Sequence, residues 1–268
     1  MSDLLVMSGV NKGYWRGARQ VQVLTDVSLQ VGTREIVTVV GARDEGKTTL
    51  LKLAAGMERP DEGRVSLDGQ DLDGLSALKR ERLLGAKIAW VSRERPGIAW
   101  TARQYVAMPL TLGRRRHHVG RRALIPLTLG RGRHHVRRQA LVALEFVGVA
   151  RCANQTWEEL SNWERTLVGL ARAYACRPRL IIIDDLLDGY GMLRMQEIGD
   201  ILRSVVEELG CGVLMSASGM EAALVADNVW SFGRGRLKPM TSQLGAGGDV
   251  IDFPKGVGSG TDSRSVGS

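Results

Sequence analysis

The sequence has no apolar run near the roughly 18 residues that a membrane-spanning helix requires. It therefore predicts no span of its own. Aromatic residues make up only 5% of it, and there are three cysteines, Cys152, Cys176 and Cys211. An odd number at wide spacing argues against a disulfide framework and predicts reduced thiols in a cytosolic protein. The opening residues, MSDLLVMSGVNKGYW, lack a basic stretch followed by an apolar one, so no secretory signal is expected.

What is present describes an ordinary globular chain: 268 residues, 44% hydrophobic and 25% charged. That length suits one large domain or two small ones with a sizeable core. The net charge of +8 is the exception, and its first reading is a nucleic-acid or anionic-membrane partner. The charge is local. Residues 109–141 hold nine arginines (Arg114, Arg115, Arg116, Arg121, Arg122, Arg131, Arg133, Arg137 and Arg138) and no acid, so subtracting nine from eight leaves −1 for the remainder.

That basic arm is a tandem duplication. PLTLGRRRHHVGRRAL at 109–124 returns as PLTLGRGRHHVRRQAL at 126–141, starting 17 residues later and differing at three of sixteen positions. Two copies are too few for a solenoid. All four histidines (His117, His118, His134 and His135) lie in it, yet no cysteine or carboxylate is present to complete a metal site. A solvated basic helix or loop is the plainer reading.

Strand signals occur at Glu35–Val40, Lys87–Val91, Leu180–Ile183 and Gly212–Met215. The second and third are nearly apolar throughout, as expected of parallel strands covered on both faces. Helical patterns follow the first and third, the latter around Met195–Leu209, so the expected class is α/β with a mostly parallel sheet. From about Thr241 to Ser268 the chain turns to Gly, Ser and Asp, which predicts a flexible tail after a domain over 1–240.

Gly41-Ala42-Arg43-Asp44-Glu45-Gly46-Lys47-Thr48 fits G-x-x-x-x-G-K-[ST] between a strand and the helical run that begins Thr49-Leu50-Leu51. Consecutive backbone N–H groups there make an anion-binding concavity at a helix N-terminus. Lys47 is expected to reach the β- and γ-phosphates of a nucleoside triphosphate, and the Thr48 hydroxyl to ligate Mg²⁺. Asp184, closing a buried strand, is the expected acid for the water shell of Mg²⁺, and Asp185 the candidate for activating the attacking water.

With Tyr14 in NKGY, the GARDEGKTT loop, Leu160-Ser161-Asn162-Trp163-Glu164 before a helix, and LARA leading into Pro178 and the IIIDD strand, the chain resembles the nucleotide-binding subunits of ABC transporters. The resemblance covers roughly residues 4–240. DGQDL at 68–72 and Val91-Ser92-Arg93 fall where that pattern has them. Ser76–Arg82 and the YVAMPL segment at 105–110 look most like the lipoprotein-release, macrolide-export and cell-division branch. It implies a P-loop NTPase of ABC type with an antiparallel β edge, a helical subdomain over about 94–175, and ATP and Mg²⁺ as cofactors. It also implies pairing into homo- or heterodimers, docking on an integral-membrane permease, and a place on the cytoplasmic face of the membrane. Tyr14 would stack on adenine, and Ser161 would bring its hydroxyl to the partner's γ-phosphate, while Ser161-x-x-Glu164 also reads as a capping box.

Five departures touch the chemistry. Asn162 and Trp163 stand where the family has glycines, which permit close backbone approach to phosphate. Asp44 replaces a loop glycine but tolerates a positive φ; its charge and that of Glu45 would each oppose phosphate by about 1 kcal/mol if solvated at ~4 Å. Arg93 stands for a metal-ligating glutamine and has no acceptor atom, although it could contact phosphate directly. Asp185 is one methylene shorter than the usual glutamate, and Ser218 replaces the switch histidine. Binding residues (Tyr14, Gly41, Gly46, Lys47, Thr48, Asp184) are intact while those that time and execute hydrolysis (Arg93, Asn162, Trp163, Asp185, Ser218) are altered, so slow turnover is expected.

The alternative is a non-hydrolysing, nucleotide-gated regulatory or structural subunit paired with a competent ATPase. Chromosome-handling relatives carry a long coiled coil between loop and signature, and this chain has none, so nucleic acid is not the expected partner. The basic arm at 109–141 is instead expected to meet acidic permease loops or anionic headgroups.

Overall fold

The computed structural model of the chain describes residues 3–93, 96, 99–113 and 131–240. The 241–268 tail and residues 114–130 of the basic arm lie outside the described residues, so the tail expectation and most of the first repeat copy are not addressed by the fold.

Two sheets organise the chain. Strands β1 (Asp3–Arg16), β2 (Arg19–Gly32), β3 (Ile36–Val40), β4 (Glu62–Leu67), β5 (Gln70–Asp71), β6 (Ile88–Ser92), β7 (Leu180–Asp184), β8 (Gly212–Ala217), β9 (Asn228–Gly233) and β10 (Arg236–Met240) divide between them. A four-stranded antiparallel sheet has the order β2-β1-β4-β5, and a six-stranded sheet has the order β10-β9-β3-β8-β7-β6. In the larger sheet every pairing is parallel except β9 with β10. The expected antiparallel edge is therefore one strand, and the other antiparallel strands form a sheet of their own.

Alternation along the central strands separates two cores. Ile181, Ile183, Val213, Met215 and Ala217 face one side, while Leu180, Ile182, Leu214, Val37 and Val39 face the other. Successive strand side chains point to opposite faces, so a strand apolar at every position must be covered twice. One cover is the antiparallel sheet with α1 (Lys47–Ala54), which buries Leu50, Leu51, Leu53 and Ala54. The other contains α6 (Met192–Leu209), whose Met195, Ile198, Leu202, Val205 and Val206 are buried at helical spacing. Gly210, left-handed at φ 64, ends that helix.

Helices α3 (Ala102–Gly113), α4 (Arg131–Phe146) and α5 (Asn162–Ala175) pack on one another. α4 buries Val136, Ala140, Ala143 and Leu144, and exposes His134, His135, Arg137 and Arg138. The end of the second repeat copy is thus one basic face of an amphipathic helix. α2 (Ala77–Lys87) is capped by Ser76, whose side chain accepts from the Lys79 N–H at 3.4 Å.

Candidate functional site

Parallel register brings three strand ends together. Val40 pairs with Ala217, Ile183 with Met215, and Ser92 with Asp184, so β3, β7 and β8 deliver Gly41, Asp184 and Ser218 to one carboxyl edge. Open α/β sheets bind ligands at this edge.

The loop from Gly41 to Thr48 closes by two left-handed residues, Asp44 at φ 62 and Gly46 at φ 111. Aspartate does adopt the conformation expected of a glycine there, with Asp44 exposed. Both glycines of the motif are sterically required. A Cβ on Gly41 would lie 2.4 Å from the Phe232 carbonyl oxygen, and one on Gly46 would lie 2.5 Å from Val23 Cγ1. The Glu45 carboxylate folds back and accepts from the Ala42 N–H at 3.2 Å, so it is tied into the loop backbone.

Lys47 is only 3% exposed. Its ammonium donates to the carbonyls of Gly41 (2.8 Å) and Ala42 (2.9 Å) and to Ser218 Oγ (3.4 Å), and lies 3.7 Å from Asp185 Oδ1. A buried ammonium held this way is a cation poised beside the loop's own N–H groups. Next to it, Thr48 Oγ1 donates to Asp184 Oδ1 at 3.1 Å. Burial pushes the Asp184 carboxyl above the usual range, and the Asp185 charge adds to this, against hydrogen bonds from Ser216 and Thr48. A bound cation would reverse that balance by favouring the charged form.

The arrangement fits a triphosphate with a hard cation. Hydroxyl and carboxylate oxygens meet at Thr48 and Asp184, and among the described residues no group of three His, Cys, Asp or Glu side chains forms a closed metal cage. Magnesium is held by one or two carboxylates together with substrate phosphates, not by an all-protein cage. Tyr14 reaches the start of α1: its side chain bonds Thr49, and its hydroxyl donates to Glu58. Burial and the Glu58 carboxylate raise its hydroxyl pKa.

Other predicted residues lie apart from this cluster. Arg93 donates to the carbonyls of Leu186 (3.3 Å) and Asp188, so its guanidinium is docked on the loop after the acids instead of beside Lys47. Ser161 is the N-cap of α5, with the expected capping box closed by Glu164. The Ser161 hydroxyl donates to Glu164 Oε2 at 2.8 Å, and its own N–H does so at 2.9 Å. Trp163, where the family pattern has a glycine, is half-buried. It meets Tyr190 edge-on at 5.2 Å. Arg43 lines a cleft of about 170 Å³ with Asp188, Tyr190 and Ser218.

Two participants were not singled out from the sequence. Ser216 Oγ lies 3.0 Å from Asp184 Oδ1 and 3.1 Å from Asp185 Oδ1, and accepts from the Asp185 N–H at 3.0 Å. Its signal was a serine inside an otherwise apolar strand, since a buried hydroxyl requires partners. Asp188 accepts from the Ser218 N–H at 2.9 Å, and only the fold brings those residues together.

The protein-family model described as ABC transporter matches residues 24–187. The methionine import ATP-binding protein MetN 1 of Rhodococcus jostii (strain RHA1) is 31% identical over 87% of this chain, which spans 65% of that relative's length. The lipoprotein-releasing system ATP-binding protein LolD 2 of Caulobacter vibrioides is 30% identical over 89% of this chain and 98% of its own. Among solved structures, the ATP-binding cassette MJ0796, described as a dimeric post-hydrolysis state bound to ADP and Pi, superposes with a TM-score of 0.74 at 24% identity, covering 88% of this chain and 97% of that one. The fold is that of ABC cassettes, and this chain belongs to the ABC transporter family.

Proposed function

We propose that the chain is the ATP-binding subunit of a membrane transport complex, holding Mg-ATP at Gly41–Thr49 and driving a separate permease. The observation that carries this is the 3.1 Å hydrogen bond from Thr48 to Asp184 beside the buried Lys47. When bound, ATP supplies the phosphoryl group for transfer to water, and Mg²⁺ supplies positive charge at its oxygens.

Lys47 and the loop N–H groups hold the phosphates, Thr48 and Asp184 hold the cation, and Tyr14 flanks the base. Asp185 takes the proton of the attacking water. Ser161, whose hydroxyl and N–H both bond Glu164, acts across a dimer on the nucleotide of a second ATP-binding subunit. No helix among the described residues is long and apolar enough to cross a membrane; the reading puts the chain on the cytoplasmic face, against a permease. The basic arm at 109–141 faces that permease or anionic headgroups.

Turnover is slow in this reading. The Asp185 carboxylate is short and is engaged by Ser216 and Lys47. Ser218 cannot carry a positive charge, and Arg93 has no acceptor for a metal. A base displaced by about 1 Å can lower the rate on the order of 100-fold. The test is ATP affinity and ATPase rate of the purified chain, alone and with its co-purifying permease. Failure to bind Mg-ATP overturns the whole reading. Many turnovers per second, abolished by Lys47→Ala, overturn the slow-turnover part.

A further inference from the structure

The loop that follows the two acids is fastened at Leu186, Asp188 and Tyr190 by groups from three different elements. Arg93, just past β6, donates to the carbonyls of Leu186 and Asp188. The Ser218 N–H, just past β8, donates to Asp188 Oδ1 at 2.9 Å. From α5, Thr166 Oγ1 lies 3.0 Å from the Tyr190 hydroxyl. The single Thr166 proton is engaged by the Asn162 carbonyl at 3.2 Å, so Tyr190 is the donor. The Tyr190 ring also meets Trp163 edge-on at 5.2 Å and 76°, with the Arg194 guanidinium 4.3 Å from the Trp163 ring.

Arg93, Trp163 and Ser218 are three of the positions that depart from the family pattern, and all three secure this one loop or its aromatic. The loop starts at Asp185, whose backbone is left-handed at φ 44 and whose carboxylate faces Lys47 and Ser216. Left-handed backbone at a non-glycine residue persists only where its surroundings hold it.

We propose that Tyr190 is a positioning residue for Asp185: with Trp163 it clamps residues 186–190 to α5 of the same chain, so that Asp185 and the signature helix cannot move independently. The clamp stands on its own geometry, and its effect on turnover rests on the ATP-binding reading above.

The experiment compares Tyr190→Ala, Tyr190→Phe, Trp163→Gly and the Tyr190→Ala/Trp163→Gly pair by hydrogen exchange of residues 186–190 in the nucleotide-free chain, ATP affinity and kcat. An edge-on aromatic pair supports a change of about 2- to 10-fold in local opening. Tyr190→Ala and Trp163→Gly should each speed exchange by that factor and raise kcat with ATP affinity unchanged. The pair should do no more than either alone, and Tyr190→Phe, which keeps the ring, should do less. A merely structural role would instead lower affinity and kcat together. Unchanged exchange in cooperatively unfolding variants overturns the clamp. Faster exchange with unchanged kcat overturns the positioning role. If the unaltered chain binds no ATP, the ATP reading falls and the positioning role with it, while faster exchange still establishes the clamp.

Discussion

The Thr48 hydroxyl donates to the Asp184 carboxylate across 3.1 Å, although 136 positions separate them in the chain. One sits at the start of α1 and the other at the end of β7, and the parallel sheet brings the two ends to the same edge. A hydroxyl bonded to a carboxylate, next in the chain to the buried Lys47, forms a site whose charge balance would change when a hard cation enters.

Asp184→Asn should therefore remove the Mg²⁺ dependence of ATP binding without removing binding itself. A hydrogen bond to a charged group contributes about 1.5–3 kcal/mol, so affinity in Mg²⁺ should fall roughly 10- to 100-fold, at the conversion of about 1.4 kcal/mol per tenfold. Affinity in EDTA should stay near its wild-type value. Calorimetric titration with and without Mg²⁺ checks this, and an equal loss under both conditions would contradict it.

Asp185→Glu should raise kcat. The added methylene lets a carboxylate reach past the Ser216 and Lys47 contacts that Asp185 makes at 3.1 and 3.7 Å. A gain on the order of 10-fold or more fits the rate sensitivity to ~1 Å displacement. ATP affinity should not change, because in the proposed function Lys47 and the loop, not Asp185, hold the phosphates. Steady-state kinetics decide it; a fall in kcat would show that Asp185 is not limiting.

Acid should weaken α5 through Glu164. Hydrogen bonds from the Ser161 N–H and hydroxyl, followed by Cys152, depress its carboxyl from 4.5 to about 2. A depressed folded pKa gives stability that is complete above about pH 4.5 and is lost as pH falls toward 2. The stability difference between wild type and Glu164→Gln should therefore shrink steadily below about pH 4.5 and stay flat above it. Urea unfolding across that range tests this, and a difference that grows on acidification would refute it.

Deleting residues 114–130 removes one 17-residue repeat unit and five arginines while leaving the ends of α3 and α4 in place. Each basic residue near an anionic surface contributes about 1 kcal/mol, so binding to phosphatidylserine vesicles at low salt should fall at least about tenfold. Binding to phosphatidylcholine vesicles should not move. Equal binding by both chains would remove the membrane role of the arm.

The phosphate loop was legible because its chemistry is local: eight consecutive residues carry the glycines, the lysine and the threonine, and their flanking strand and helix are also read locally. The capping box of Ser161 and Glu164 was legible for the same reason. The antiparallel sheet was not. Register shifts interrupt β1 near Val10 and Lys12, and Gly9 is left-handed at φ 59; bulges of this kind break the period-two pattern from which a strand is read. Ser216 and Asp188 were missed because neither belongs to a motif, and their partners come from other strands.

The sequence by itself singled out the residues proposed to hold phosphate and cation, since loop shape and donor type follow from residue identity and spacing. It also located the +8 charge in one duplicated arm. Only the tertiary structure decided what the substituted positions do. Arg93, Trp163 and Ser218 read as losses from a pattern, and the fold brings them to a single loop as hydrogen-bond donors and an aromatic contact. The physical reason is that a side chain's role depends on partners brought near by sheet register and helix packing, and these contacts join residues far apart in the chain.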